Sequence, residues 1–175
     1  MSRYIALVRA VNVGGTGKLP MTALKSMCTD AGFDSIETYI ASGNVVFESK
    51  DDATRVRLKL EARLRAFIGK SVDVFVRTST EMRAVLDRNP FPSGEPGHTY
   101  AFFLAQKPPR DAISGALRRA DEGIRLGRRE IYVYYPSGMG KSKLRIPAAS
   151  AGTARNMNTI AKLVAMSSKA LACES

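Results

Sequence analysis

Through the first half of the chain, hydrophobic and polar positions alternate at the period of strands and recur at the period of helices by turns. Tyr4 to Val11 is apolar and β-branched, which predicts a strand. Asn12-Val13-Gly14-Gly15-Thr16-Gly17 is a turn-rich loop, where glycine takes positive φ at little cost, and Pro20 stands where proline opens a helix. Met21, Leu24, Met27, Cys28 and Ala31 then recur at helical spacing, and Gly32 fits the helix end. Ser35 to Ala41 and Val45 to Ser49 read as two strands joined into a hairpin at Ser42-Gly43-Asn44. Asp51 or Asp52 caps a second helix with the stripe Val56, Leu60, Leu64, Phe67 and Ile68, closed by Gly69. From Ser71 to Arg77, Val72, Val74 and Val76 alternate against Asp73, Phe75 and Arg77, the pattern of a half-buried strand.

In order, these elements are βαββαβ, the ferredoxin-like arrangement, with an expected strand order of 4-1-3-2 and both helices on one face. The second half is less regular. Thr78-x-x-Glu81 has the form of a capping box opening a short helix through Arg88, and Asn89 to Gly97 interrupts regular structure. Strands are expected over Thr99 to Ala105, Ile131 to Tyr135 and a short stretch at Ile124 to Leu126, with a helix over Asp111 to Ala120. A last helix is expected from about Ala154 to Leu171, burying Met157, Ile160, Ala161 and Val164. The fold class is α+β: a ferredoxin-like subdomain over residues 1–78, then a second, smaller α+β subdomain over 79–175 that ends in a C-terminal helix.

Composition adds charge to this picture. The 175 residues carry 27 Lys and Arg against 16 Asp and Glu, a net +11, which creates a field attractive to polyanions. The basic residues are spread along the chain without a block of five, so high-pI solubility competes with nucleic-acid binding as the explanation. The two cysteines, Cys28 and Cys173, lie far apart and have no metal-ligand spacing. Cys28 shares the stripe of the first helix and reads as a small core residue rather than a nucleophile. Arg9 interrupts the apolar run at the N-terminus, which therefore lacks the form of a secretory signal. No stretch approaches the ~20 apolar residues of a membrane span. The expectation is a cytoplasmic protein with no membrane partner, no metal and no cofactor.

Several phrases, taken together, resemble the bacterial domain of unknown function family 1697. They are Arg9 to Gly15, Lys18-Leu19-Pro20-Met21, Tyr39 to Phe47, Asn89-Pro90-Phe91, Gly127 to Tyr132, Gly140-Lys141-Ser142-Lys143-Leu144 and Thr153-Ala154-Arg155-Asn156. The resemblance runs in order along nearly the whole chain. It implies a two-part α+β fold with a ferredoxin-like first half, and it brings no activity, substrate or cofactor. The family pattern near the last helix is Arg-Asn-Trp-Asn-Thr, and here Met157 stands where the tryptophan would be. A core-packing role tolerates that exchange, whereas an aromatic platform does not.

Candidate chemistry is sparse. Ser137-Gly138-Met139-Gly140-Lys141-Ser142 nearly forms a phosphate-binding loop after a strand, but Tyr135 occupies the first glycine position. That departure argues against nucleotide hydrolysis by that route, while Gly138, Gly140, Lys141, Ser142 and Lys143 are suited to holding an isolated phosphate. Arg155 and Asn156 at the expected start of the last helix complete this candidate anion site, as a cation and a donor near a helix N-terminus. A second candidate is Gly14, Gly15, Gly17 and Lys18, which fails the full motif because Leu19 replaces the magnesium-binding hydroxyl. The aromatic signature of RNA-recognition modules is missing, since Asn44 and Val46 occupy its aromatic positions. His98 is the only histidine, and no pair of carboxylates stands out as an acid/base couple, so catalytic residues are unassigned. The basic helix at 53–68 reads as a solvated face.

Three functions fit these residues. The preferred one is a noncatalytic basic module that binds an anionic partner, either a phosphate-containing ligand or nucleic acid. The alternatives are an enzyme acting on a small phosphorylated or carboxylated metabolite in a cleft between the subdomains, and a protein-interaction or scaffold role. Whether the chain is an enzyme, and its oligomeric state, are left open by the residues.

Overall fold

The computed structural model describes residues 1–11 and 18–169. The chain divides into two compact units, Met1–Met82 together with the segment from Lys162 onward, and Arg83–Ala161. The first unit contains β1 (Ser2–Val8), α1 (Met21–Asp30), β2 (Asp34–Tyr39), β3 (Asn44–Ser49), α2 (Ala53–Ile68) and β4 (Val74–Thr78). Its antiparallel sheet has the order β2-β3-β1-β4, as the βαββαβ pattern predicts. Tyr4, Ala6, Val8, Val45, Phe47, Val74 and Val76 face Leu24, Met27 and Cys28 of α1 and Val56, Leu60 and Leu64 of α2 in one core. Both helices therefore cover one face of the sheet.

Local chemistry explains where these helices stop. After α1, Gly32 adopts φ +86, its amide bonds the Thr29 carbonyl, and the Phe33 amide reaches the Cys28 carbonyl. This pairing closes a helix with a left-handed residue, which glycine tolerates because it has no Cβ. Asp52 caps α2 by accepting the Arg55 amide, and Gly69 at φ 88 ends it. Phe67 departs from the expected stripe: it is 52% exposed, whereas Val56, Leu60 and Leu64 are fully buried. It lies three residues beyond Leu64, in the last turn of the helix, where the buried stripe is ending.

The expectation of a half-buried β4 is also revised. Phe75 and Arg77 are 6% and 2% exposed, so both faces of the strand are covered. The last turns of the C-terminal helix account for part of that cover. Arg3, on the same face of the sheet as Phe75 and Arg77, donates from Nε to the Ser167 carbonyl at 2.8 Å and from a terminal nitrogen to the Met166 carbonyl at 3.3 Å. Its other terminal nitrogen meets Glu48 at 2.9 Å. A guanidinium at a helix C-terminus satisfies free carbonyls and complements the dipole.

α3 (Ser79–Asp87) opens with the expected reciprocal cap. The Thr78 amide donates to Glu81 at 3.0 Å, and the Glu81 amide donates to Thr78 Oγ1 at 3.1 Å.

The second unit contains β5 (Thr99–Phe103), β6 (Gly123–Leu126), β7 (Glu130–Tyr134) and β8 (Thr153–Asn156), in the order β6-β7-β5-β8. All neighbours are antiparallel, so this sheet repeats the strand order and polarity of the first. The repeat carries no helical crossovers. Residues 104–122 and 135–152, which occupy the places of α1 and α2, run as turns and short 3₁₀ segments. They cover the sheet with Leu104, Ala112, Ile146 and Ala149, packed with Ile124, Ile131, Val133 and Tyr135.

Two expectations for this half are corrected. Asp111 to Ala120 does not form a helix, because the Leu117 amide donates to the Arg145 carbonyl and the Arg145 amide to the Leu117 carbonyl, at 2.7 and 2.9 Å. That bridge takes the donor a helix would have returned to Ile113. The last helix begins later than expected. Thr153–Asn156 is strand β8, paired with β5, and α4 runs over Met157–Lys169. Asn156 caps it by accepting the Thr159 amide at 2.9 Å. Met157, Ile160, Leu163 and Val164 are buried, while Ala161 is exposed.

Candidate functional site

The Leu117–Arg145 bridge joins the two crossovers of the second unit. Residues 104–145 carry ten Lys and Arg against four Asp and Glu, so six of the eleven net positive charges fall there. Beside the bridge is a cavity of about 540 Å³, with Arg118, Glu122, Tyr135, Gly138, Lys141, Ser142 and Lys143 in its wall. Arg118, Lys141 and Lys143 are exposed and form no ion pair among the described residues. Arg118 takes φ 55, a left-handed conformation that a non-glycine residue rarely adopts.

Glu122 lies in the wall and is only 4% exposed. The Ser142 hydroxyl donates to one of its carboxylate oxygens at 2.6 Å, and the Ala120 amide donates to the other at 2.6 Å. The Ser142 hydroxyl, ahead of the other contributions, holds the Glu122 carboxyl below the usual carboxylate range. Tyr135 lines the same cavity and packs edge-on against Tyr100 at 5.6 Å. Its hydroxyl has no hydrogen-bond partner among the described residues. Burial first, then the negative charge of Glu122, pushes the Tyr135 phenol up to about 12, so it remains a donor at neutral pH.

Of the residues expected to hold an anion, the fold places Gly138, Lys141, Ser142 and Lys143 around this cavity. Gly140 does not line it. The amides of Gly138, Lys141 and Ser142 bond the carbonyls of Tyr135, Gly138 and Met139, so the loop closes on itself and presents cations more than backbone donors. Ser142 directs its single proton to Glu122, and its oxygen accepts the Leu144 amide at 3.1 Å.

Arg155 and Asn156 are not in the cavity wall. Arg155 pairs with Ala101 across β8 and β5, and its guanidinium donates to Thr153 Oγ1 at 2.7 Å and to the Ala154 carbonyl at 2.9 Å. Burial pulls its pKa down to about 10, which leaves it charged at neutral pH. Gly14, Gly15 and Gly17 lie outside the described residues, and Lys18 is exposed. Arg118, Glu122 and Tyr135 were not foreseen as site residues: the β6–β7 pairing of Gly123 with Tyr134 sets Glu122 beside Tyr135, and the bridge folds Arg118 back toward 141–143.

The other basic segment has a different character. On α2, Arg55 and Lys59 pair with Asp51, Arg57 pairs with Glu61, and Arg63 donates to the Asp30 carbonyl. These contacts compensate the charges locally, on a face that the sequence reads as solvated. His98 is flanked by Glu95, whose carboxylate lies 3.5 Å from Nδ1, and no hydroxyl or thiol among the described residues bonds its ring.

Most of the other recurring phrases have architectural roles. Asn44 is fully buried and donates to the Tyr39 carbonyl and Ser42 Oγ, which shapes the β2–β3 turn. Asn89 accepts the Phe91 amide, and the Phe91 ring stacks on Tyr134 with Arg125 over it. Gly127 donates to the Glu130 carbonyl to close the β6–β7 hairpin. Met157 is 3% exposed, in keeping with core packing at the position of the tryptophan.

Residues 1–132 match the family described as protein of unknown function (DUF1697). The chain belongs to this family. Among solved structures, it is similar to the conserved bacterial protein SP0830 from Streptococcus pneumoniae, at 28% identity and a TM-score of 0.76. That likeness covers 95% of this chain and 98% of the other. No curated protein matches the chain. The description of the DUF1697 family carries no activity. The cavity lies partly within the matched residues, at 118–122, and partly beyond them, at 135–143. No helix among the described residues is long and apolar enough to cross a membrane.

Proposed function

We propose that the second unit is a noncatalytic binding module for a small phosphate-bearing ligand. The observation that carries this reading is the Leu117–Arg145 bridge, which sets Arg118 beside Lys141 and Lys143 around one cavity. Three cations without ion-pair partners attract a dianion, and a partly enclosed wall screens that attraction less than open solvent does. The volume of about 540 Å³ falls within the ~300–1,000 Å³ of small-molecule sites. A noncatalytic role is favoured because the hydroxyl in the wall is bonded to a carboxylate of lowered pKa, which is a weak base at neutral pH.

The test is thermal unfolding of the full chain in inorganic phosphate, against chloride of matched ionic strength. Phosphate should raise the midpoint saturably, because a ligand that binds the native state stabilises it by mass action. Arg118→Ala and Lys141→Ala should each weaken the apparent affinity by about tenfold, the loss of one charge-assisted contact. An equal shift in chloride, or an unchanged shift in both variants, would overturn the reading.

A further inference from the structure

The cavity wall is bipolar, which bears on what its ligand looks like. Arg118, Lys141 and Lys143 bring positive charge to it, and Glu122, bonded to Ser142 between the two lysines, brings a carboxylate beside Tyr135. Inorganic phosphate alone would leave most of a volume of about 540 Å³ unfilled. It would also leave the Glu122 carboxylate with an acceptor position unfilled, since the Ser142 hydroxyl and the Ala120 and Glu122 amides occupy three of about four. Acidic groups in the wall, Asp121 as well as Glu122, repel a continuous polyanion such as a nucleic-acid backbone.

A free acceptor next to a free donor is the complement of a hydroxyl group, which both donates and accepts. Glu122 supplies the acceptor, and the Tyr135 hydroxyl, without a partner among the described residues, supplies the donor. The Tyr135 and Pro136 surfaces add an apolar wall that suits a carbon skeleton. We infer that the ligand is a phosphate monoester of a polyhydroxylated carbon skeleton, with the phosphate at Arg118, Lys141 and Lys143 and a hydroxyl between Glu122 and Tyr135. This inference rests on the phosphate-binding reading and assigns Glu122 and Tyr135 the role of selecting among phosphates. The Ser142 hydroxyl then positions Glu122 and does not itself contact the phosphate.

The experiment is calorimetric titration of the full chain with methyl phosphate, glycerol 3-phosphate, ribose 5-phosphate and glucose 6-phosphate. Methyl phosphate carries the monoester without hydroxyls. At least one polyol phosphate should bind about tenfold or more tightly than methyl phosphate, since a hydrogen bond to a charged group supplies that much discrimination. Glu122→Gln should abolish the preference, bringing the ratio of the tighter ligand's affinity to that of methyl phosphate, both measured in the variant, down to about one. Tyr135→Phe should weaken the same ligand by about threefold to tenfold. If all three polyol phosphates bind no better than methyl phosphate, or if both variants keep the full preference, the inference is overturned and phosphate binding stands. If methyl phosphate does not bind at all, the phosphate-binding reading fails first, and the inference with it.

Discussion

Gly123 sits under the Phe91 ring, and the cost of filling its space follows from the packing there. A methyl group at Gly123 would stand 2.6 Å from Phe91 Cε1 and 2.9 Å from Cζ. Carbon atoms settle near ~3.5–4.0 Å, so the ring has to retreat by about 1 Å. Retreat disturbs its stack on Tyr134, at 5.9 Å between centroids, and its contact with Arg125, at 6.0 Å. Overpacking of this kind costs about 1–3 kcal/mol. Gly123 has no positive φ, so alanine adds no backbone strain and recovers about 0.5–1 kcal/mol of chain entropy. Gly123→Ala should therefore destabilise the protein by about 1–2 kcal/mol. In a Phe91→Ala background the obstacle is gone, and the same substitution should be neutral or stabilising by about 0.5 kcal/mol. The coupling in a double-mutant cycle should be about 1–2.5 kcal/mol, read from urea midpoints by circular dichroism with a shared m-value. An equal cost of Gly123→Ala in both backgrounds, to within about 0.5 kcal/mol, would refute the claim that the ring is what requires glycine.

The α2 stripe offers a contrast within one helix: Leu64→Ala should cost about 2–5 kcal/mol, because Leu64 is fully buried. Phe67→Ala should change stability by about 0.5 kcal/mol or less, because Phe67 is 52% exposed, and comparable losses would show that Phe67 is packed. Cys28 is fully buried and burial pushes its thiol up to about 12 from the ordinary 9.0, so a thiol reagent at pH 8 should label it only on unfolding, in a Cys173→Ser background. The unfolded thiol loses its proton first, so its share of stability is complete below pH 9 and declines above it; Cys28→Ala should lessen the fall between pH 9 and 10, and an identical slope would contradict the burial argument.

Local reasoning succeeded wherever neighbours in sequence are also neighbours in the fold. The capping box at Thr78 and Glu81, the Gly32 helix end and the β2–β3 hairpin each satisfy their backbone groups within a few residues. The α1 and α2 stripes give the side that faces the sheet for the same reason, and the order β2-β3-β1-β4 follows from their shared face. The 137–143 loop was recognisable too, from its glycines and lysines after a strand, although its amides turned out to be bonded within the loop.

The misread elements share one cause, which is a backbone donor or a surface claimed by a distant partner. Asp111 to Ala120 has helical spacing, yet Leu117 bonds to Arg145, and one pair of long-range hydrogen bonds outweighs a short helix of marginal stability. Ala154 to Asn156 would extend α4, but β5 has an open edge whose amides and carbonyls need partners, and these residues fill it as β8. β4 reads as half-buried until Arg3 draws the end of α4 onto the other face of its sheet. The candidate site belongs to this second class. Sequence spacing carries Lys141, Ser142 and Lys143, whereas Arg118 joins them through a bridge between two crossovers, and Glu122 meets Tyr135 and Ser142 through the β6–β7 pairing and a hydrogen bond. Periodicity records which side of an element is buried, and it is blind to which remote segment satisfies a hydrogen bond or closes a cavity.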